Sequence, residues 1–161
     1  MSNKLRIGFG FDSHQIEKGD SMTLGGVEIS CGYQIIAHSD GDVLTHAICD
    51  ALLGAAHLGD LGSFVPDDDS TKNISSLIIL ENIMTKIADL NMAVVNIDST
   101  FVGNVPRLES HKGNMENKLA EVINIDVGNI SCKATTTDGM GPEGRNEGVS
   151  AYATVLLEKI K

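Results

Sequence analysis

Asp12 and His14 stand two apart in the segment Gly8-Phe-Gly-Phe-Asp-Ser-His14. In an extended chain residues i and i+2 point to the same side, so one carboxylate oxygen and one imidazole nitrogen can reach a single ion. Farther on, Asp42, His46 and Asp50 recur every four residues, on the helix face opposite an apolar stripe. A helix imidazole added to a strand Asp-x-His makes an N, N, O donor set. Three protein ligands with one open position is how a catalytic zinc ion is held. Asp42 or Asp50, one turn from His46, can serve as the acceptor that orients its ring. The same periodicity also describes an ordinary solvated helix face, and both readings stand at this level. His57 and His111 read as surface histidines.

Two further stretches suit phosphate. Ala37-His-Ser-Asp-Gly-Asp42 precedes a helix, where unpaired N–H groups favour an anion, and His38 and Ser39 can donate there. Plain helix capping explains the same residues. Lys133-Ala-Thr-Thr-Thr-Asp-Gly139 places three hydroxyls and an acid at a strand end, a donor and acceptor set for phosphate and a hard cation. A threonine-rich strand needs no such purpose.

The elements that must carry these residues follow from periodicity. Leu5, Ile7, Phe9 and Phe11 alternate with Arg6, Gly8 and Gly10, which predicts a strand whose glycines admit backbone or ligand. Met22 to Ile29 predicts a hairpin turning at Gly25-Gly26. Leu44, Ala47, Ile48, Ala51, Leu52 and Ala55 predict a helix over 39–58, with Ser39 as N-cap and Gly59 as stop. A polar loop spans 60–72. Ser75 or Ser76 can cap a second helix, with Ile79, Ile83, Ile87 and Leu90 at helical spacing. Val95, Ile97, Ser99 and Phe101 alternate as a strand. Pro106 suits the first turn of a third helix, with Leu108, Met115, Leu119 and Val122 inward. Ile130 to Thr136, a glycine-rich turn and Val149 to Leu157 complete the chain. The fold class is α/β (α+β), a sandwich of a mixed four-stranded sheet plus an N-terminal hairpin, with helices on one face, in a single domain over 1–161. Ser150, Tyr152 and Thr154 on the other sheet face hint at an oligomer.

Composition limits what this scaffold does. The chain has 161 residues, 12 Lys and Arg against 22 Asp and Glu, and a net charge of −10. That balance disfavours nucleic acid, whose binding rests on cationic neutralisation of phosphate, and an anionic membrane surface. Cys31, Cys49 and Cys132 form no C-x-x-C pair and read as small hydrophobes in a reducing compartment. No apolar run approaches a membrane span. The expectation is a soluble cytoplasmic protein.

Taken together, these segments resemble the 2-C-methyl-D-erythritol 2,4-cyclodiphosphate synthase family of the non-mevalonate isoprenoid pathway. The likeness runs from Arg6-Ile-Gly-Phe-Gly-Phe-Asp-Ser-His14 to the last strand. Its most specific stretch is Ala37-His-Ser-Asp-Gly-Asp-Val-Leu-Thr-His-Ala-Ile-Cys-Asp-Ala-Leu-Leu-Gly-Ala-Ala56, followed by Leu58-Gly-Asp-Leu-Gly62. Lys133-Ala-Thr-Thr-Thr137 and Gly144-Arg-Asn-Glu-Gly148 fall where the family has counterparts. The resemblance implies a homotrimer with sheets packed around a threefold axis and active sites between subunits. It implies conversion of 4-diphosphocytidyl-2-C-methyl-D-erythritol 2-phosphate to a cyclic diphosphate and CMP. It assigns Asp12, His14 and His46 to Zn2+ or another divalent transition metal, and Asp138 to Mg2+ or Mn2+. His38 and Thr136 match the transition-state-stabilising positions. Substrate contacts are implied for Asp12, His14, His38, Ser39, Asp60, Gly62, Asp67, Asp69, Gly103, Arg107, Leu108, Ala134, Thr135, Thr136, Thr137, Asp138 and Arg145, with cytosine read by backbone groups of 103–109.

Three positions depart from the family pattern. Asp138 replaces a common Glu, Pro142 a frequent Phe near the trimer axis, and Val65-Pro66 the common Phe-Pro. A non-catalytic metal- or nucleotide-binding module and a zinc phosphohydrolase are the competing classes. Ligands, phosphate site and nucleotide segment together favour the synthase, and a binding module would not need all three.

Overall fold

The computed structural model describes residues 4–66 and 71–160. The first strand, β1 (Leu5–Lys18), runs well past Phe11. Its second half stays paired: Asp12 faces Ala151 and His14 faces Val149 on β7 (Gly148–Lys159), and Ile16 faces Ile35 on β4 (Tyr33–Ile35). The sheet order is β4-β1-β7-β5-β6, with β5 at Met92–Val102 and β6 at Ile130–Thr135. β5 and β6 are parallel and the other neighbours antiparallel. β4 makes the expected four strands five; its three residues are too few to show alternation. The hairpin β2 (Ser21–Leu24) and β3 (Val27–Ser30) forms as expected. Gly25 and Gly26 at its turn both have positive φ, 55° and 72°, as a two-residue turn between right-twisted strands requires.

The helix α1 (Val43–Ala56) lies on β1 and β7, and α3 (Ser76–Asp89) packs over α1. Gly8 and Gly10 answer the question of what approaches β1: it is the backbone of α1. A Cβ at Gly8 would fall 1.8 Å from the Ala51 carbonyl oxygen, and one at Gly10 2.0 Å from that of Ala47. Leu5, Ile7, Phe9 and Phe11 therefore point away from the helices and are 47–74% exposed. Tyr152 joins them, its ring centroid 5.0 Å from that of Phe11. The open sheet face is more apolar and aromatic than expected, while Ser150 at its end is buried and donates to Glu143.

Covered on both sides, α1 is buried almost all round. The expected solvated face is thus corrected: Asp42 is wholly buried and His46 is 6% exposed. The N-cap is Asp42, not Ser39. Its carboxylate accepts from Thr45 N at 2.9 Å and Thr45 Oγ1 at 2.7 Å, and also from the hairpin's Gly25 N at 2.9 Å and Gly26 N at 2.7 Å. No neutral hydroxyl can hold four donors. The helix ends at His57 in the left-handed conformation, two residues before Gly59.

Ser75 caps α3 as expected. The loop after α1 contains one helical turn, α2 (Leu61–Phe64). α4 (Lys112–Ile123) begins at Lys112 after His111, so Pro106 and the buried Leu108 belong to the β5–α4 loop. Another turn, α5 (Gly141–Gly144), lies inside the glycine-rich segment. A bulge between Val94 and Asn96 shifts the parity of β5, so Val94 and Ile97 both face the core and Val95 does not. Cys49 and Cys132 are buried, and burial pushes the Cys132 thiol up to about 12. Among the described residues no helix is long and apolar enough to cross a membrane.

Candidate active site

Parity along β1 builds the first part of the site. Gly8, Gly10, Asp12 and His14 share the helix-facing side. Where the glycines end, α1 begins, and the first turn of α1 carries His46 over the strand. His14 Nδ1 lies 2.9 Å from Asp12 Oδ2, and His46 Nδ1 lies 3.1 Å from the same oxygen. One donor atom from each of the three residues falls within 4.8 Å of the others. His14 Nδ1, although 2.9 Å from that carboxylate oxygen, is buried and not aligned to hydrogen-bond it, a polar atom that an added ligand would satisfy. Burial pushes Asp12 up, but the two imidazoles outweigh it and hold the carboxylate below its ordinary value. Burial pushes His46 down, and Asp12 more than reverses this. Two nitrogens and a carboxylate, one nitrogen orphaned, fit a zinc-type ion with an open position. Sequence reasoning named all three residues, and the structure brings them together.

The other face of His46 differs from expectation. Asp42 is consumed by the hairpin and Thr45, and Asp50 accepts from Leu61 N at 3.1 Å, fixing α2. Neither touches the ring of His46. Its Nε2 lies 2.8 Å from Ser76 Oγ and 3.3 Å from Ser39 Oγ. Ser76 Oγ donates to Asp40 Oδ1, and Ser76 N donates to Asp40 Oδ2 at 2.8 Å. Sequence reasoning missed Ser76 except as a cap candidate and gave Asp40 no role. No spacing rule joins residues 30 and 36 positions apart.

A cavity of about 440 Å³ opens in front of this group. Asp12, His14, His38, Ser39, His46 and Gly62 line its polar side, and Phe11, Leu61, Val65, Ile74 and Ile79 its apolar side. Asp60 lies just outside as the N-cap of α2, accepting from Ser63 N and Ser63 Oγ, which hold its carboxyl below the usual range. Asp67 and Asp69 lie outside the described residues.

The remaining candidates gather elsewhere. Gly103, Arg107, Leu108, Ala134, Thr135 and Thr136 line a second cavity of about 150 Å³ between the β5–α4 loop and the end of β6. Thr137 and Asp138 follow on the turn, where Thr136 Oγ1 donates to Asp138 Oδ1 at 3.4 Å and Thr137 Oγ1 to Met140 O. Arg145 is bidentate to Glu147, at 2.9 and 3.1 Å. The two cavities share no lining residue. One sheet row runs Asp12, Ala151, Phe101, Ala134. Three strand spacings make on the order of 14 Å, and Ala151 and Phe101 between them are fully buried. Within one chain the metal-type group and the threonine group are walled apart.

Comparison with known proteins bears on this arrangement. The sequence profile of the YgbB family matches residues 5–158. The chain is 47% identical over 156 residues to the 2-C-methyl-D-erythritol 2,4-cyclodiphosphate synthase of Syntrophomonas wolfei, covering 96% of this chain and 99% of the relative. Among solved structures it is similar to the bifunctional IspDF of Campylobacter jejuni, with a TM-score of 0.94 and 36% identity over 98% of this chain and 43% of that longer one. It is also similar to the IspF of Plasmodium falciparum in a CDP complex, with a TM-score of 0.88 and 32% identity over 100% of both chains.

Proposed function

The chain belongs to the YgbB family, whose curated relatives are 2-C-methyl-D-erythritol 2,4-cyclodiphosphate synthases, and from that premise we propose that it is such a synthase across a single domain, 1–161. It converts 4-diphosphocytidyl-2-C-methyl-D-erythritol 2-phosphate to 2-C-methyl-D-erythritol 2,4-cyclodiphosphate and CMP. An oxygen of the 2-phosphate bonds to the β-phosphorus of the diphosphate. The bond from that phosphorus to the oxygen bridging to CMP breaks, and CMP leaves with the electron pair. No water enters, so the reaction is a lyase-type cyclisation. The observation that carries the reading is the convergence of Asp12, His14 and His46 at the mouth of a cavity that also holds His38 and Ser39.

In this reading Asp12, His14 and His46 would hold Zn2+ or another divalent transition metal, and Asp138 would hold Mg2+ or Mn2+. Bound there, such ions would supply Lewis-acid polarisation and screen the mutual repulsion of the phosphates. The chain's own residues do the rest. His38 and Ser39 donate to phosphate oxygens from the cavity wall, and Asp60 and Gly62 shape the far side. Gly103, Arg107, Leu108, Ala134 and Thr135 hold the cytidine half by backbone groups and one cation. Thr136 and Thr137 donate to the diphosphate. Arg145 approaches it by leaving Glu147. A phosphate monoester dianion is already nucleophilic near neutral pH, so no side chain need take a proton from it.

The wall between the two cavities supports a further part of the proposal. A neighbouring copy brings its threonine half-site to this chain's metal half-site, and the apolar strip of Leu5, Ile7, Phe9, Phe11 and Tyr152 is the face on which three copies meet. Free buried thiols accord with cytoplasmic work. The test is a product assay by 31P NMR with Zn2+ and Mg2+ present. Cyclic diphosphate and CMP in equal amounts are expected. Orthophosphate without CMP, or no turnover, would overturn the assignment.

A further inference from the structure

Behind the metal-type group sits a chain of polar atoms that the proposed reaction does not itself require. Asp40 Oδ1 accepts from Ser76 Oγ, and His46 Nε2 lies 2.8 Å from that same Ser76 oxygen. A serine hydroxyl has one proton. Since it goes to the carboxylate of Asp40, the oxygen has only lone pairs left for His46. The close approach at 2.8 Å is then a hydrogen bond only if His46 donates from Nε2. Ser39 Oγ, 3.3 Å from the same nitrogen, accepts from Gly41 N and is also free to accept there.

The other nitrogen inherits the consequence. A neutral ring with its proton on Nε2 carries a lone pair on Nδ1, and Nδ1 faces Asp12 Oδ2 at 3.1 Å. Asp12 would accept a proton from Nδ1, so Ser76 and Asp12 compete for the one proton of the neutral ring, and where Ser76 holds it the two facing lone pairs repel until a cation lies between them. We propose that Ser76, backed by Asp40, is a positioning residue that fixes the tautomer of His46, so that Nδ1 is committed to the metal before any metal arrives. Asp40 is itself held. Its Oδ2 accepts from Ser76 N, its Oδ1 from Asp42 N at 3.2 Å, and its own N–H donates to Ile74 O. The polarity of the relay is thus anchored in the start of α3 and the turn before α1, two elements brought together only by the fold.

This inference rests on the reading of Asp12, His14 and His46 as metal ligands, and its test does not depend on turnover. The probe is Zn2+ competed against a chromophoric chelator, alongside 15N NMR of the histidine rings in the metal-free protein at alkaline pH, where the imidazole is neutral. The wild-type protein should show His46 protonated on Nε2. Ser76→Ala should lose that preference and bind Zn2+ roughly 10- to 100-fold more weakly, the usual cost of removing an outer partner of a ligating histidine. Activity should return when Zn2+ is raised to saturation. Asp40→Asn keeps the shape of the side chain and can donate to Ser76, which lets the hydroxyl turn toward His46. It should move the proton to Nδ1 and weaken Zn2+ in the same way. Both variants should keep the melting behaviour of a folded domain. An Nδ1-protonated His46 in the wild type, or unchanged Zn2+ affinity in a folded Ser76→Ala, overturns the relay. A wild type that binds Zn2+ with the expected tautomer yet forms no cyclic product leaves the relay standing and removes the reaction instead.

Discussion

Asp42 and Asp12 are both carboxylates packed beside the first turn of α1, and they are opposite kinds of site. Asp42 is surrounded by donors: two N–H groups of the hairpin turn, one of the helix and one hydroxyl. Asp12 is surrounded by imidazoles, one buried nitrogen of which makes no aligned hydrogen bond. The first is closed and joins two elements. The second faces the cavity and is the one whose donor set could hold a cation. Their acidities diverge accordingly. Full burial pushes Asp42 up despite its four donors, while at Asp12 the two imidazoles overcome burial and hold it down. A buried charge is therefore read by what is left over after its partners are counted, not by its depth.

The comparison breaks most visibly at Asp42. Asp42→Ala strands two buried N–H groups and one half-buried one at the junction of hairpin and helix, so unfolding free energy should fall by about 3 kcal/mol. Zinc bound per folded molecule should stay unchanged. Denaturant melts with metal analysis check both halves, and an equal loss of metal would merge the two sites into one. His46→Ala should do the reverse. Bound metal should drop to trace and turnover fall at least about 100-fold, more than loss of an outer partner would bring, with a smaller loss of stability. Full metal occupancy in that variant would remove His46 from the ligand set.

The smallest effect is in pH. In metal-free protein, His46 is raised above its ordinary 6.5, so its contribution is whole below 6.5 and lost as pH climbs through the raised value. Asp12 is lowered from 3.8, so its contribution is present above 3.8 and lost as pH falls through the lowered value. Their pair thus supports the apo fold best between about pH 4 and 6.5. Asp42, raised from 3.8, has the other sign: its contribution is greatest below 3.8 and declines as pH rises through its folded value. Because zinc must displace the proton from His46, the rise in melting temperature on adding zinc should grow above pH 6.5. Melts of apo and zinc-loaded protein across this range test it, and a zinc increment that shrinks with rising pH would contradict the ligand assignment.

Much of the site was legible because its spacing is local. Asp-x-His reads directly from the two-residue period of a strand, and His46 from the helical repeat that follows. The relay of Asp40 and Ser76 was not legible, since it forms only when α3 crosses the start of α1. The cap went to Asp42 rather than Ser39 because the hairpin turn supplies two extra donors that only a carboxylate satisfies. Alternation in β1 announced a strand but not its orientation. Residues that usually face a core face outward there because glycines, not apolar side chains, make the helix contact. Pro106 misled in the same way: a residue suited to a helix start serves a loop that encloses the second cavity.

Those glycines have one more consequence, which is metrical. With no side chain between them, the main chain of α1 rests directly on the main chain of β1, and the height of His46 above Asp12 and His14 is set by the thickness of two backbones. Metal–ligand distances tolerate about 0.2 Å. A single methyl at Gly8 would stand 1.8 Å from the Ala51 oxygen, where ordinary contact begins at 3.4 Å. The helix would have to rise by well over an ångström, lifting one corner of the ligand triangle off the other two. Gly8 and Gly10 thus act as the zero mark of a gauge: residues with no functional group of their own, fixing the scale on which the three that have one can meet.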